Sequence, residues 1–452
     1  MRKRHIAIAT LTVLVVAAAG IAAWAALRAR ERPEWTTDSP AALAEMRLGM
    51  DAFRKYYWQE ARGHFQKALA LDPQFAMPLR MLIRIGDDKE KNGELRKQLA
   101  AVDRSRLSPR EAFLVEHTLV SDERSPEKAD KVIADYLQRH PRDPYALAVW
   151  ADFCYDARRW DDAESTYQKL LAIDPNWVDA QNRMGYLSMA LGRFAQAEDR
   201  FRTYRFVAPD QANPHDSLGE LLVLTGRFDE AQRELEAGLH IRPDFCSSYG
   251  NLLEIARLSG HPERLGPLVS RMEKNGCEAA IANTRCWIEV WHRYLARDWK
   301  RLAAIFHEPC IQEHKTGAIL PHLAAVLDGD LTLARQMEAF EAKQRNRYVT
   351  RGNPVVPHLA AIRAVAEGDL TAALRDFAKA DAELQYRALN DGIFKLYNRL
   401  QWAHALETSG DHAGAEKLVR EVAAVNQAMA NRYVGLPAPQ PPKTAAARTN
   451  AG

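Results

Sequence analysis

The sequence has almost no charge bias. Its 62 lysine and arginine residues are nearly balanced by 59 aspartate and glutamate residues, and the formal net charge is +3 over 452 residues. A nucleic-acid-binding chain usually carries a basic patch or stripe, whereas these charges are spread evenly. We therefore expect no nucleic-acid partner.

The motifs that would reveal a catalytic or cofactor site are also missing. There is no glycine-rich phosphate loop, no His-Glu-x-x-His motif and no Gly-x-Ser-x-Gly motif. The five cysteines form no Cys-x-x-Cys pair, which argues against a zinc ribbon and a thioredoxin-like redox site. We expect no cofactor and no enzymatic activity.

One segment does gather metal-binding residue types. His307–His314 contains two imidazoles, one thiol and two carboxylates within eight residues. Pro309 interrupts a helix there, so the spacing does not place these side chains on one face. Since no second cluster completes a coordination shell, we interpret the segment as a polar loop that holds no metal.

What the sequence does contain is a repeat. Pro141, Pro175, Pro209 and Pro243 are spaced by 34 residues, and Pro73 lies two such steps upstream of Pro141. A large apolar residue followed by glycine, then an alanine, then a second large apolar residue recur in the same register. They are Met184-Gly185, Ala197 and Phe201 before Pro209, and Leu218-Gly219, Ala231 and Leu235 before Pro243.

These positions resemble the tetratricopeptide repeat (TPR), in spacing and in residue type. The resemblance implies an all-α fold, a right-handed α-solenoid of about eleven helix-turn-helix pairs. We expect Gly185 to let paired helices approach closely, Gly192 and Gly226 to end the first helices, and Phe201 to fill the space between units. Because no unit buries its own apolar face, stability has to come from stacking.

The N-terminal segment has the pattern of a membrane helix. Ile6–Leu27 carries no charge and follows the basic flank 1–5; at 1.5 Å per residue, 22 helical residues span roughly 33 Å. Ala23-Trp24-Ala25 offers a cleavage site, so a removable export signal is the alternative. We favour an uncleaved transmembrane signal-anchor, because the run is long and Arg28, Arg30 and Arg32 follow at once.

The short basic flank favours a cytoplasmic N-terminus with the repeat domain exported, as in a single-pass inner-membrane protein facing the periplasm. Three basic residues lie on each side of the apolar run, so a cytoplasm-facing array on a reverse anchor stays open. An oxidising compartment would also permit a bridge between Cys277 and Cys286.

The repeat register sets the expected organisation. After the anchor we expect a linker at 28–40, a TPR array at 41–282 that is regular at 110–245, degenerate TPR-like repeats at 283–434, and a disordered Pro/Ala-rich tail at 435–452. In the degenerate half, Gly329-Asp330, Gly368-Asp369 and Gly410-Asp411 mark the turns.

In the family the first helix of each unit lines a concave groove, so the resemblance points to candidate binding residues. They are Tyr145, Asp152, Tyr155, Asp156, Asn182, Tyr186, Met189, Asp216, Glu220, Asn251, Glu254 and Arg257. This set is acidic and aromatic, and it lacks the clamp that some members use for a terminal carboxylate. We expect an apolar or basic peptide, with the three tyrosines as anchors; the alternative is a solvated face without a ligand.

Three functions remain open on these grounds. The leading one is a membrane-anchored scaffold that binds a protein or peptide in the cell envelope. The second is a sensor or regulatory component of a signalling or envelope-biogenesis system, because Leu107–Pro141 resembles repeats attached to some bacterial kinases and cyclases. The third is an enzyme with a site in 283–353.

Overall fold

The computed structural model describes residues 34–86, 88–121, 126–312, 318–343 and 353–433. The predicted anchor with its flank and the predicted disordered tail at 435–452 lie outside these residues. Among the helices that are described, none combines the length and the apolar character needed to cross a membrane.

Within the described residues every regular element is a helix, and eleven consecutive pairs can be counted. The first six pairs are Pro40–Arg54 (α1) and Trp58–Leu71 (α2), Ala76–Ile85 (α3) and Lys89–Ala100 (α4), Pro109–Val120 (α5) and Pro126–Arg139 (α6), Pro144–Asp156 (α7) and Trp160–Ile173 (α8), Val178–Ala190 (α9) and Phe194–Val207 (α10), and Ala212–Leu224 (α11) and Phe228–Ile241 (α12).

The remaining pairs are less regular, and a single short helix follows them. They are Cys246–Ser259 (α13) and Leu265–Lys274 (α14), Glu278–Leu295 (α15) and Trp299–Ala304 (α16) with Pro309–Gln312 (α17), Ile319–Asp328 (α18) and Leu331–Lys343 (α19), Val355–Glu367 (α20) and Leu370–Glu383 (α21), Leu389–Ser409 (α22) and His412–Val425 (α23), and finally Gln427–Tyr433 (α24). The all-α fold and the number of pairs agree with the sequence prediction.

The chain divides into two compact units after Val149, inside α7. In the first unit, the residues just before α1 are tied to α5. The backbone N–H and the hydroxyl of Thr36 each donate to the buried Glu111 carboxylate over 2.6 Å. Glu111 also completes a capping box with Ser108. One carboxylate therefore holds the residues before α1 against α5 and also caps the start of α5.

In the second unit the 34-residue register is exact at the helix ends. α9, α11 and α13 begin at residues 178, 212 and 246, and Pro209 and Pro243 each lie two residues beyond a second helix. As expected, Gly192 and Gly226 follow first helices with left-handed φ angles of 72° and 75°. The turn between the two helices of a pair therefore has the same backbone geometry at the same position of successive repeats.

Three of the described non-glycine residues also adopt a left-handed conformation, which their residue types do not indicate; one of them is Arg297, with a φ of 55°. Arg158 is one repeat before Gly192 and has a φ of 58°, and Tyr56 is three repeats before Arg158 with a φ of 64°. A side chain in this region costs about 1–2 kcal/mol. The hairpin geometry thus prevails over the local preference of the residue.

Within each regular pair a glycine faces a large side chain. A Cβ built on Gly185 would lie 2.4 Å from the Phe201 ring, and one built on Gly219 would lie 2.7 Å from Leu235. The expected close approach is confirmed. The Phe201 ring thus lies against the first helix of its own unit.

The degenerate half keeps the turn chemistry after it loses the 34-residue spacing. Gly329, Gly368 and Gly410 end first helices with φ angles of 82°, 79° and 89°. The aspartate after each glycine accepts a backbone N–H of the next helix; Asp369, for example, accepts from Ala372 over 2.9 Å. The predicted Gly-Asp turns are thus confirmed.

Candidate functional site

In the second unit, the first helices α9, α11 and α13 present a row of polar side chains, which with Asp152, Tyr155 and Asp156 of α7 we call the inner surface. Asp216 lies at its centre and is buried. It accepts hydrogen bonds from Ser247, Ser248 and Asn251 over 2.7, 2.8 and 3.1 Å. Burial raises the pKa of Asp216, although these three donors act in the opposite direction.

Glu220 lies one helical turn after Asp216 and makes two hydrogen bonds. The Tyr186 hydroxyl donates to its Oε2 over 2.7 Å, and the backbone N–H of Leu389 donates to its Oε1 over 2.6 Å. Burial is the main cause that raises the pKa of Glu220 to about 7, and the nearby Asp216 and Asp391 act in the same direction. Near neutral pH this carboxyl is therefore partly protonated.

The Tyr155 end of the inner surface is filled by an arginine of the same chain. The Arg387 guanidinium lies 4.6 Å from the Tyr155 ring centroid and 5.8 Å from that of Trp160. Its Nη2 is 3.3 Å from Oδ1 of Asp156. Arg387 is 6% exposed and Tyr155 is 4% exposed. The aromatic and acidic groups here thus form a closed arginine pocket.

This arginine belongs to the non-helical segment Leu384–Ala388, which joins α21 to α22. The segment is held from both sides. Arg158 donates to the carbonyl oxygen of Glu383 over 3.4 Å, just before the segment. After it, Glu220 accepts from Leu389. A five-residue stretch of the chain itself therefore occupies part of the surface predicted to bind a peptide.

Further along, α24 begins against the end of α11. The Asn426 side chain donates to the carbonyl oxygen of Leu224 over 3.0 Å and accepts the Met429 N–H over 3.1 Å. One buried amide thus satisfies a C-terminal carbonyl of α11 and caps α24.

Beyond Leu389 the inner surface is open. A cleft of about 510 Å³ lies between α13, α15 and the start of α22. Its lining mixes carboxylates, amides, hydroxyls and one indole: Glu220, Ser247, Gly250, Asn251, Leu253, Glu254, Asn283, Thr284, Trp287, Ala388, Leu389 and Asn390. This volume lies within the range of known ligand pockets.

A disulfide and an aromatic row hold the walls of this cleft. Cys246 and Cys277, at the starts of α13 and α15, are joined with a Cα–Cα distance of 5.6 Å. The Cys277–Cys286 bridge considered from the sequence is therefore not formed, because Cys277 is bonded to Cys246. Nine helical residues separate those two cysteines by about 13 Å, beyond the reach of a disulfide.

The aromatic row runs along α15. Trp287 and Trp291 have ring centroids 6.2 Å apart, and Tyr294 is 5.0 Å from Trp291. The Arg257 guanidinium lies 4.4 Å from the Trp291 ring centroid and pairs with Glu254, whose Oε2 is 2.5 Å from its Nη2. The Trp287 wall is therefore supported by a tilted contact with Trp291, which in turn has an edge-to-face contact with Tyr294.

The structure brings most of the predicted site residues of the second unit onto the inner surface or beside it. Asp152 accepts from Tyr167 over 2.7 Å. Met189 is 0% exposed and Asn182 is 2% exposed, so burial keeps these two side chains from contacting a ligand. Tyr145 belongs to the first unit, where it contacts Trp35 and Glu34.

Sequence reasoning missed Arg387, Leu389, Asn283 and Trp287. The spacing of Trp287, Trp291 and Tyr294 at i, i+4 and i+7 is an aromatic helix face that could have indicated the Trp287 wall. No pattern marks Arg387 or Leu389, because the contacts they make are with residues far away in the sequence.

In the described ranges no group of three or more His, Cys, Asp and Glu side chains is placed to hold a metal ion. In the His307–His314 segment, Pro309 is the first residue of α17. Residues 313–317 are not among the residues that the structure describes.

Residues 155–218 match the family model for the tetratricopeptide repeat. No curated protein sequence matches the chain. Similar solved structures include the APC/C hetero-tetramer Cut9-Hcn1, at 14% identity and a TM-score of 0.46, over 85% of this chain and 67% of that one. Pseudomonas aeruginosa PilF is 16% identical with a TM-score of 0.30, over 53% and 90%.

The type IV pilus biogenesis factor PilW is 18% identical with a TM-score of 0.29, over 57% of this chain and 86% of its own. The repeat assignment depends on the family match and on the 34-residue register, and not on these likenesses. The family match covers residues 155–218, within which the 34-residue register relates α9 to α11.

Proposed function

We propose that this tetratricopeptide-repeat chain is a scaffold that binds a partner protein on its inner surface, at the cleft beside Glu220. The observation that carries the proposal is the cleft itself. It has a pocket-sized volume of about 510 Å³, and it continues a surface that already holds a peptide segment of the same chain. Tetratricopeptide repeats typically serve as protein-interaction surfaces, and no described residue cluster suggests a reaction.

The partner segment is apolar or basic in this proposal. Its support is the lining, which combines the carboxylates of Glu220 and Glu254 with the Trp287 indole. The position of Arg387 supports a preference for basic side chains, because this arginine lies between an aromatic ring and a carboxylate on the same surface.

The scaffold is anchored by Ile6–Leu27 and faces the periplasm in this proposal. The Cys246–Cys277 disulfide supports an exported domain, since disulfides persist in oxidising compartments. An alkaline phosphatase fused after Tyr433 tests the orientation. Activity in intact cells is expected. An inactive but stably expressed fusion contradicts export.

Photocrosslinking of the full chain in cells tests binding. Asn283, an exposed residue of the cleft, is replaced by p-benzoylphenylalanine. The matched control is the same replacement at Gly266, an exposed position of α14 that does not line the cleft. A discrete adduct from position 283 and none from position 266 supports the scaffold. Equal adducts, or none at either position, contradict it.

A further inference from the structure

We propose that the cleft recognises a single lysine or arginine side chain in an extended segment of the partner, with Glu220 as its counter-charge. This inference rests on the proposed function and specifies the chemistry of the bound segment. It differs from the Arg387 pocket, which the chain fills itself, because the cleft is open.

The charge of the lining points to a cation. Glu220 and Glu254 are its two carboxylates, and none of the twelve lining residues is basic. Glu254 already pairs with Arg257. The two donors that reach Glu220, the Tyr186 hydroxyl and the Leu389 N–H, are both neutral. Among the described contacts Glu220 is thus a carboxylate at an open cleft that lacks a cationic partner.

The groups around Glu220 reinforce this conclusion. Asp216 on α11 and Asp391 on α22 raise its cost of ionisation, and Tyr186 faces it from α9. The N-terminus of α22 supplies only about half a positive charge, which leaves a negative balance. A bound ammonium or guanidinium group would supply the missing charge.

Space for the rest of the segment lies over Gly250. A Cβ built on this exposed helical glycine would meet no atom within 4 Å. The backbone of α13 is therefore open to the cleft, and an extended chain can pass over it. Trp287 on the facing helix offers an apolar surface for a neighbouring side chain.

Recognition of a cation here is coupled to a proton. Glu220 titrates near neutral pH because of its burial, and only the ionised carboxylate attracts the cation. Binding should therefore displace the Glu220 proton to solvent. The affinity is expected to rise about tenfold between pH 6 and pH 8, following the ionised fraction of one carboxyl.

Peptide titration of the full chain in detergent micelles tests the inference. The probe is acetyl-Leu-Tyr-Arg-Ala-Leu-amide, and its control is the same peptide with citrulline, an uncharged side chain of nearly the same shape. The arginine peptide should bind about tenfold more tightly at pH 8. Equal affinity for the two peptides would overturn the inference.

Variants locate the site. Gly250→Leu should lower the affinity for the arginine peptide about tenfold or more, because its side chain enters the cleft, whereas the matched Gly266→Leu should leave it unchanged. Glu220→Gln should remove both the preference over citrulline and the pH dependence. Retention of either property in a folded Glu220→Gln variant contradicts the assigned role.

These results separate the inference from the scaffold proposal. If the citrulline peptide binds as well as the arginine peptide, but position 283 still gives its adduct in cells, the scaffold stands and cation recognition fails. If neither position gives an adduct, the scaffold itself fails, whatever the peptides show.

Discussion

The carboxylate of Glu220 caps the helix that begins at Leu389. The N–H of Leu389 lies 2.6 Å from Oε1 of Glu220, although 169 positions separate the two residues in sequence. The residue before Leu389, Ala388, has no side chain that can cap a helix. Glu220 therefore performs this task from the regular repeats and joins them to the degenerate half.

The burial of Glu220 predicts a pH-dependent stability, because it raises the pKa more than the hydrogen bonds from Tyr186 and Leu389 lower it. The pKa of Glu220 is raised from 4.5 to about 7 in the folded protein, so folding favours its protonated form. That stabilisation is complete below pH 4.5 and is lost as pH rises through 7. Glu220→Gln, which mimics the protonated form, should gain about 3 kcal/mol relative to the wild type between pH 4.5 and pH 8.

Urea unfolding at several pH values measures this difference. Glu254→Gln is the control, because it removes a carboxylate of the same cleft that pairs with Arg257. This variant shows how much of any change follows from the loss of a carboxylate elsewhere in the cleft. A Glu220→Gln variant that follows the wild type at every pH would show that this carboxyl does not titrate as described.

The Arg387 pocket predicts that the arginine cannot be replaced by another cation. Arg387→Ala removes the stacking on Tyr155 and the pairing with Asp156, and should lower the free energy of unfolding by about 2 kcal/mol. Arg387→Lys keeps the charge but loses the planar stacking, so it should recover less than half of this loss. Chemical denaturation measures both variants, and full recovery by lysine would refute the role of stacking.

Gly226 should be far less replaceable than Gly192, although both have left-handed backbones. A Cβ on Gly226 would lie 2.8 Å from Oδ1 of Asn426, whereas one on Gly192 meets no atom within 4 Å. Gly192→Ala should cost about 1 kcal/mol from backbone strain alone, and Gly226→Ala about 3 kcal/mol.

The double variant Gly226→Ala, Asn426→Ala tests the origin of this difference. Removing the Asn426 side chain should relieve the clash, so the two changes together should cost less than the sum of their separate effects. Strict additivity in thermal or denaturant unfolding would mean that Asn426 is not the obstacle.

The Cys246–Cys277 disulfide should matter for stability. It closes a loop with a sequence separation of 31, and its loss by Cys246→Ser with Cys277→Ser should lower the unfolding free energy by about 3 kcal/mol. The urea midpoint of the oxidised wild type against that of the double variant measures this. An unchanged midpoint, with mass spectrometry confirming the bridge in the wild type, would contradict the expectation.

The sequence predicts the parts of this fold that repeat. The proline ladder and the Gly185–Phe201 contact are local to one unit, and thus they recur with its period. Among the described residues, the arginine pocket and the Glu220–Leu389 contact do not repeat with this period. They join residues more than 160 positions apart, and one of them uses a backbone N–H, which any residue except proline would provide.

The candidate site likewise has one part that the repeat register predicts and one part that it does not. Asp216, Glu220 and Asn251 could be placed on one surface from the register of their helices. What could not be predicted is that the Tyr155 end of this surface is filled by Leu384–Ala388, because that depends on how the irregular pairs after α14 pack. Their spacings vary, so no period carries a contact from one pair to the next.

The most direct test of a partner-binding cleft combines the crosslinker with the blocked variants. The full chain with p-benzoylphenylalanine at position 283 is irradiated in cells, with either Gly250→Leu or Gly266→Leu added. We expect the adduct to disappear with Gly250→Leu and to persist with Gly266→Leu, and the crosslinked partner peptide to contain a lysine or arginine. An adduct that survives Gly250→Leu undiminished would contradict the account.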